Sequence, residues 1–170
     1  MVSDICFDEV IERGRKILSS KEYRQCCDTT EHMNSTVASH SLAVAVLSLR
    51  LCDMFEKFGV RPNRQRMVEA SLCHDLSLYE FRSRHGFKTH FIKAWVHPVE
   101  SAKLSKRLFN IDDKTASIIR RHMWPACVLP PMDLEGWIIN VADKVSAVAE
   151  LFKLEFFSEA ALVYGMIQED

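Results

Sequence analysis

The sequence predicts an all-α fold, a single compact helical bundle, and three observations carry that prediction. Five glycines and five prolines in 170 residues leave few places to break a helix. Apolar side chains recur three or four positions apart along most of the chain, the spacing that puts them on one helical face. No segment shows the strict alternation of a half-buried strand. A chain of this length buries a sizeable core. No repeat, low-complexity tract or linker divides residues 1–170 into more than one domain.

A first helix covers roughly residues 7 to 19. The second starts at Asn34 or Ser35, either of which can accept a hydrogen bond as an N-cap, and ends at Gly59. Pro62 opens a third through RQRMVEASLCHDL. After a polar, histidine-bearing loop, His97-Pro98 begins the helix HPVESAKLSKRLF. Asp112 caps DDKTASIIRRHM, and Trp124-Pro125 ends it. EGWIINVADKVSAVAELFK forms a long late helix, and FSEAALVYGMIQ a short terminal one.

Composition narrows the function classes. A net charge of -1 offers no electrostatic footprint for a nucleic-acid polymer or an anionic membrane. No apolar run approaches the span of a transmembrane helix. The acidic N-terminus MVSDICFDEV lacks a signal-peptide pattern, so a cytoplasmic location is expected. Cysteines 6, 26, 27, 52, 73 and 127 show no CxxC or zinc-ribbon spacing and read as reduced thiols.

Against this background several polar residues sit where apolar ones belong. His40 lies on the stripe Val37, His40, Val44, Leu47 and Leu51, so it faces the core. His74 and Asp75 end the apolar face of MVEASLC. Asp143 is set among Ile139, Ala142, Ser146 and Ala147. An unpartnered buried carboxylate costs several kcal/mol, so Asp143 needs a cation, a hydrogen-bond network or a metal. Each anomaly has a plain explanation: His40 as a core histidine with one hydrogen bond, Asp143 paired with Arg120 or Arg121. Taken together, they suggest inward-pointing groups on separate helices that share a divalent metal, with His97 and His122 sufficient for a second ion. Imidazole and carboxylate ligands suit Mn, Fe, Co, Ni or Zn, and Mg if water completes its shell.

The order His40, His74-Asp75, then Asp143 in VADKVSA resembles the HD-domain metal-dependent phosphohydrolase superfamily, over roughly residues 30–153. HPVESA and RRHMWP resemble the segments that carry two additional histidines in two-metal members. The whole set is most similar to a group of small bacterial predicted HD hydrolases. The resemblance implies one ion held by His40, His74, Asp75 and Asp143, and a second held by His97 and His122 with Asp75 bridging. It implies hydrolysis of a small phosphorylated molecule (a phosphomonoester, phosphodiester or nucleotide) with His74 and Asp75 at the reaction centre. Lys144, beside Asp143, is a candidate for catalysis and phosphate contact. Arg120 or Arg121, Trp124 and His90 are candidate substrate contacts, and His85 and His32 read as surface residues. The chain departs from many catalytic members in reading His74-Asp75-Leu76-Ser77 where they continue with glycine and lysine. The same six ligands also resemble the family's mixed-valent di-iron oxygenases, and a sensing HD domain without chemistry is the third alternative.

Overall fold

The computed structural model describes residues 5–32, 35–79 and 90–152. Helix α1 (Ile5–Leu18) is followed by α2 (Lys21–Cys27), whose N-cap Ser20 accepts the Tyr23 N–H. Strands β1 (Thr30–His32) and β2 (Ser35–Thr36) pair antiparallel. The sequence indicates neither α2 nor the strands. Seven residues are too few to display helical periodicity, and three- and two-residue strands are too short to alternate.

Helix α3 (Val37–Glu56) starts from Thr36, one position past the expected cap, because Thr36 and Ser39 form a reciprocal capping box. Helix α4 (Arg64–Cys73) is capped by Asn63, immediately after Pro62. Helix α5 (His90–Phe109) corrects a sequence reading: Pro98 lies inside the helix instead of opening it. Its ring cannot donate to the Ala94 carbonyl, but its fixed φ is helical, and buried Ser101, Ala102 and Leu104 hold the following turns in the core. Asn110, at φ 58, takes the left-handed conformation that ends α5. Asp112 caps α6 (Asp113–Arg121), and Asp133 caps α7 (Leu134–Leu151). The expected terminal helix at 157–168 lies outside the described residues.

Helix α3 is the hub, flanked by α1, α2, α4 and α7, while α6 bridges α4, α5 and α7. All described helices contribute to one apolar core, where each fully buried leucine or isoleucine gains about 1.5–3 kcal/mol from leaving water. Gly14 lets α1 approach α4 closely, since a Cβ there would stand 2.5 Å from Leu72 Cδ1. Contrary to the sequence reading, α3 is long and apolar enough to cross a membrane by length and composition. Its apolar surface is spent on its neighbours: Leu42, Val44, Ala45 and Leu49 are wholly buried. All six cysteines are buried free thiols.

One ionic network clamps the N-termini of the three helices that converge on the polar cluster described below. Glu135, in the first turn of α7, accepts the N–H of Asn63 at 2.8 Å and pairs with Lys114 at 2.5 Å and Arg66 at 3.3 Å. Arg66 also reaches Asp112, the cap of α6, at 2.9 Å. Burial raises the Glu135 pKa, but Lys114, the Asn63 N–H and Arg66 outweigh it and hold the carboxyl low. Glu135→Ala removes the acceptor of the Asn63 N–H and one of the two carboxylate partners of both Arg66 and Lys114, so it should destabilise the fold by about 1–3 kcal/mol. A lower urea midpoint with an unchanged m-value would register this loss.

Candidate metal centre

Two histidines are built by the same local device. His74 is the C-cap residue of α4 and His122 that of α6. The last carbonyls of a helix lack an intrahelical donor, so a side chain at the C-cap can supply one. His74 Nδ1 donates to the Ser71 carbonyl at 2.7 Å, and His122 Nδ1 donates to that of Ile119 at 2.7 Å. A carbonyl only accepts, so Nδ1 carries the proton in both rings. In the neutral ring each Nε2 is therefore left with the lone pair, and both face a buried interior.

Into that interior point three further helices and the HD turn. Asp75 lies with Oδ2 3.3 Å from His74 Nε2, while its Oδ1 stands 3.0 Å from His97 Nε2 and 3.5 Å from His122 Nε2. Its carboxylate thus faces two groups of imidazoles at once. His40, from the first turns of α3, directs Nε2 to Asp143 Oδ1 at 3.1 Å, and the same oxygen is 3.7 Å from His74 Nε2. His97, from α5, approaches His122 with their Nε2 atoms 3.2 Å apart. The six side chains expected as ligands are all buried. Asp143 pairs with these histidines and with Lys144, not with Arg120 or Arg121.

The fit of a cation is decided by atoms with nothing else to hold. His74 Nε2 and Asp75 Oδ1 are fully shielded and make no hydrogen bond, although Asp75 Oδ1 lies within ion-pair distance of His97. The atoms are close but converge on common points instead of aligning with one another. Two trios, His40–His74–Asp75 and Asp75–His97–His122, each offer ligand atoms within 4.8 Å of one another. Ligands about 2.0–2.2 Å from one ion stand about 3–4 Å apart, so small contractions suffice. The donor set fits divalent metals, and both trios can hold one.

Neighbouring residues lock the frame. Ser77 donates its hydroxyl to the His97 carbonyl at 3.1 Å, and its N–H donates to Ser101 Oγ at 3.0 Å. The departure after His74-Asp75 therefore has a structural role: it ties the HD turn to α5. Buried Asn140 donates to the carbonyls of His122 and Trp124 at 2.6 and 2.7 Å, fixing the end of α6 against α7. Glu150 Oε1 lies 2.8 Å from His40 Nδ1. Sequence reasoning missed Asn140 and Glu150. Their signals were a lone amide in the apolar run IINVA and a carboxylate seven positions beyond Asp143, on the same helical face.

Residues 37–148 match the family model of the HD domain. The chain belongs to the HD-domain metal-dependent phosphohydrolase superfamily. Comparison with the curated proteins and with the solved structures returns no match. The HD domain is an all-α fold whose members bind divalent metals, and here its name-giving dipeptide is His74-Asp75 at the meeting point of both trios.

The remaining candidates of this HD domain are distributed unevenly. Lys144 stands at the rim with its side chain 41% exposed, 3.5 Å from Asp143 Oδ2, and donates to the His122 carbonyl at 3.0 Å. Arg121 donates to the Pro130 carbonyl in the following loop, and the structure does not bring it into the cluster. Arg120 is exposed. Trp124 packs edge-on against half-exposed Trp137, on the outer side of α7. The side chains of His32 and His90, and all of His85, lie outside the described residues.

Burial presses His40 toward its neutral form, but its bonds to Asp143 and Glu150 prevail and hold its pKa at about 9. Burial likewise opposes charge on His74, yet Asp75 and Asp143 push it well above the usual value. Asp75 and Asp143, which burial alone would raise, are held well below the carboxylate range by the surrounding imidazoles. Burial pushes His122 down. The cluster therefore stores positive charge next to its two carboxylates.

Raised histidine pKa values give stability that is full below pH 6.5, the unperturbed value, and lost as pH climbs through about 9. His122, depressed, costs stability only below about pH 6.5, so it does not offset this loss. The depressed aspartates add stability above their unfolded pKa of about 3.9, again outside this window. Metal-stripped protein should accordingly melt at progressively lower temperature from pH 6.5 to 9, and a bound divalent cation should remove that decline. Calorimetric melting curves across the range, with and without Mn²⁺, check both halves.

Proposed function

We propose that this HD domain is a metal-dependent phosphohydrolase with a binuclear centre, acting on a small phosphorylated molecule such as a phosphomonoester, phosphodiester or nucleotide. The observation that carries the reading is the two-sided carboxylate of Asp75, shared by two trios of buried ligand atoms. His40, His74, Asp75 and Asp143 would hold one ion, and Asp75, His97 and His122 the other. Divalent cations in such a centre supply Lewis acidity and bring the ionisation of water close to neutral pH, which gives a nucleophile for phosphorus.

The chain's own groups do the remaining work. His74 and His122 keep their Nε2 atoms directed inward because a backbone carbonyl holds each Nδ1 proton, so the rings are already oriented toward an ion. Asp75, Asp143 and Glu150 supply three negative charges, fewer than two divalent ions carry. The loaded centre is thus net positive and attracts an anionic phosphoryl group. Lys144, the described cation beside Asp143 at the rim, is placed to add charge stabilisation as phosphoryl oxygens gain negative character. The enclosing core from α3, α4 and α6 excludes bulk water, which strengthens each of these interactions.

Stripped protein reconstituted singly with Mn²⁺, Co²⁺, Ni²⁺, Mg²⁺, Fe²⁺ or Zn²⁺ should release phosphate from a panel of phosphomonoesters, phosphodiesters or nucleotides. Asp75→Ala should abolish turnover and lose both ions, since it removes the ligand the two trios share. Lys144→Ala should retain metal and lower kcat/KM roughly 10–100-fold, the usual worth of one charge-stabilising contact or somewhat less. Absence of turnover across all six metals and the full panel would refute the proposal.

A further inference from the structure

We propose that Glu150 is a positioning residue that aims His40 at the metal and raises its strength as a ligand; this rests on the metal-centre reading above. Glu150 occupies the last turn of α7, two turns after Asp143 and on the same face. Its Oε1 lies 2.8 Å from His40 Nδ1. Its Oε2 accepts the hydroxyl of Ser35 at 2.6 Å, so both carboxylate oxygens are engaged. His40 Nε2 is then the nitrogen that faces Asp143 Oδ1.

The position of His40 in its helix explains why a residue from another helix must do this. His74 and His122 end their helices, where carbonyls without an intrahelical donor are at hand for Nδ1–H. His40 is the fourth residue of α3, where the nearby carbonyls already accept helical N–H groups further along. The second lone pairs of those carbonyls serve other side chains, since Thr36 accepts the Ser39 hydroxyl and Ala38 the Tyr23 hydroxyl, so the acceptor for the His40 ring comes from elsewhere. α7 supplies the acceptor, and supplies it as a carboxylate.

The substitution of a carboxylate for a carbonyl has a chemical consequence. A charged acceptor on Nδ1–H gives a stronger bond and draws electron density toward Nε2, making it a better donor to a cation. Of the Nδ1 partners of His40, His74 and His122, two are neutral carbonyls and one is an anion, so His40 is the most strongly donating of these three rings. α7 thus contributes twice to that half of the centre, directly through Asp143 and indirectly through Glu150.

The test is titration of the metal-stripped full chain with Co²⁺ by calorimetry, with the visible d–d absorption of Co²⁺ recorded alongside. Glu150→Ala should weaken Co²⁺ binding about 10–100-fold, the usual effect of removing a partner of a ligating histidine, and should change the absorption envelope. Glu150→Gln keeps an oxygen for Nδ1–H and should recover part of that loss, a rescue that a merely space-filling role would not distinguish by charge. Should Glu150→Ala not fold, Glu150→Gln decides alone: binding several-fold weaker than wild type supports the inference, and unchanged affinity and absorption overturn it. Wild type that binds Co²⁺ with Glu150→Ala unaltered overturns this inference only. Wild type that takes up no Co²⁺ overturns the metal-centre reading and this inference with it.

Discussion

Burying Asp75 and Asp143 together at the meeting point of five helices is the constraint to which the rest of the structure answers. A lone carboxylate in such surroundings costs several kcal/mol, and two within one cavity repel each other as well. The chain answers with four imidazoles placed around them, at distances from 3.0 to 3.7 Å. Protons can balance that charge only in part, because two of the inward atoms find no aligned hydrogen bond. A divalent cation held between them would satisfy both.

Helix ends, more than helix faces, build the centre. His74 and His122 sit where α4 and α6 stop, so the same residue that satisfies a terminal carbonyl also holds its Nε2 inside the cluster. Their opposite ends are held by Glu135 and Arg66, which join the caps of α4 and α6 to the first turn of α7. Ser77 and Asn140 then stitch the ligand-bearing turns to α5 and α7. The geometry of the site is therefore a property of how helices are terminated and clamped, and the apolar core supplies the rigidity around it.

Much of this was legible from the residues, and the reasons are specific. His40 and Asp143 stood out because they interrupt apolar faces of long periodic helices, and Asp112 was identifiable as a cap from its position alone. The all-α class followed from sparse glycine and proline. The start of α5 was not legible, because Pro98 has the φ of a helix and reads as a first-turn residue even inside one. α2 and the β1–β2 pair were too short for periodicity to register. α3 escaped notice as a long apolar segment because Ser39, His40, Ser41, Ser48 and Arg50 interrupt its apolar run, although an 18-residue window is apolar enough on average to span a membrane. Glu150 was missed because its partner lies 110 positions away, and only folding brings α7 back across the start of α3. Arg121 shows the opposite failure: adjacency to a ligand in sequence did not place its side chain at the site, since neighbours on a helix diverge by about 100°.

The most direct test of the central claim is anomalous diffraction from crystals of the stripped protein soaked in Mn²⁺ or Co²⁺. Two peaks about 3.5–4 Å apart on either side of the Asp75 carboxylate are predicted, one against His40, His74 and Asp143 and one against His97 and His122. Soaked crystals with no peak among these side chains, or with the Asp75 carboxylate turned away from the imidazoles, would contradict it.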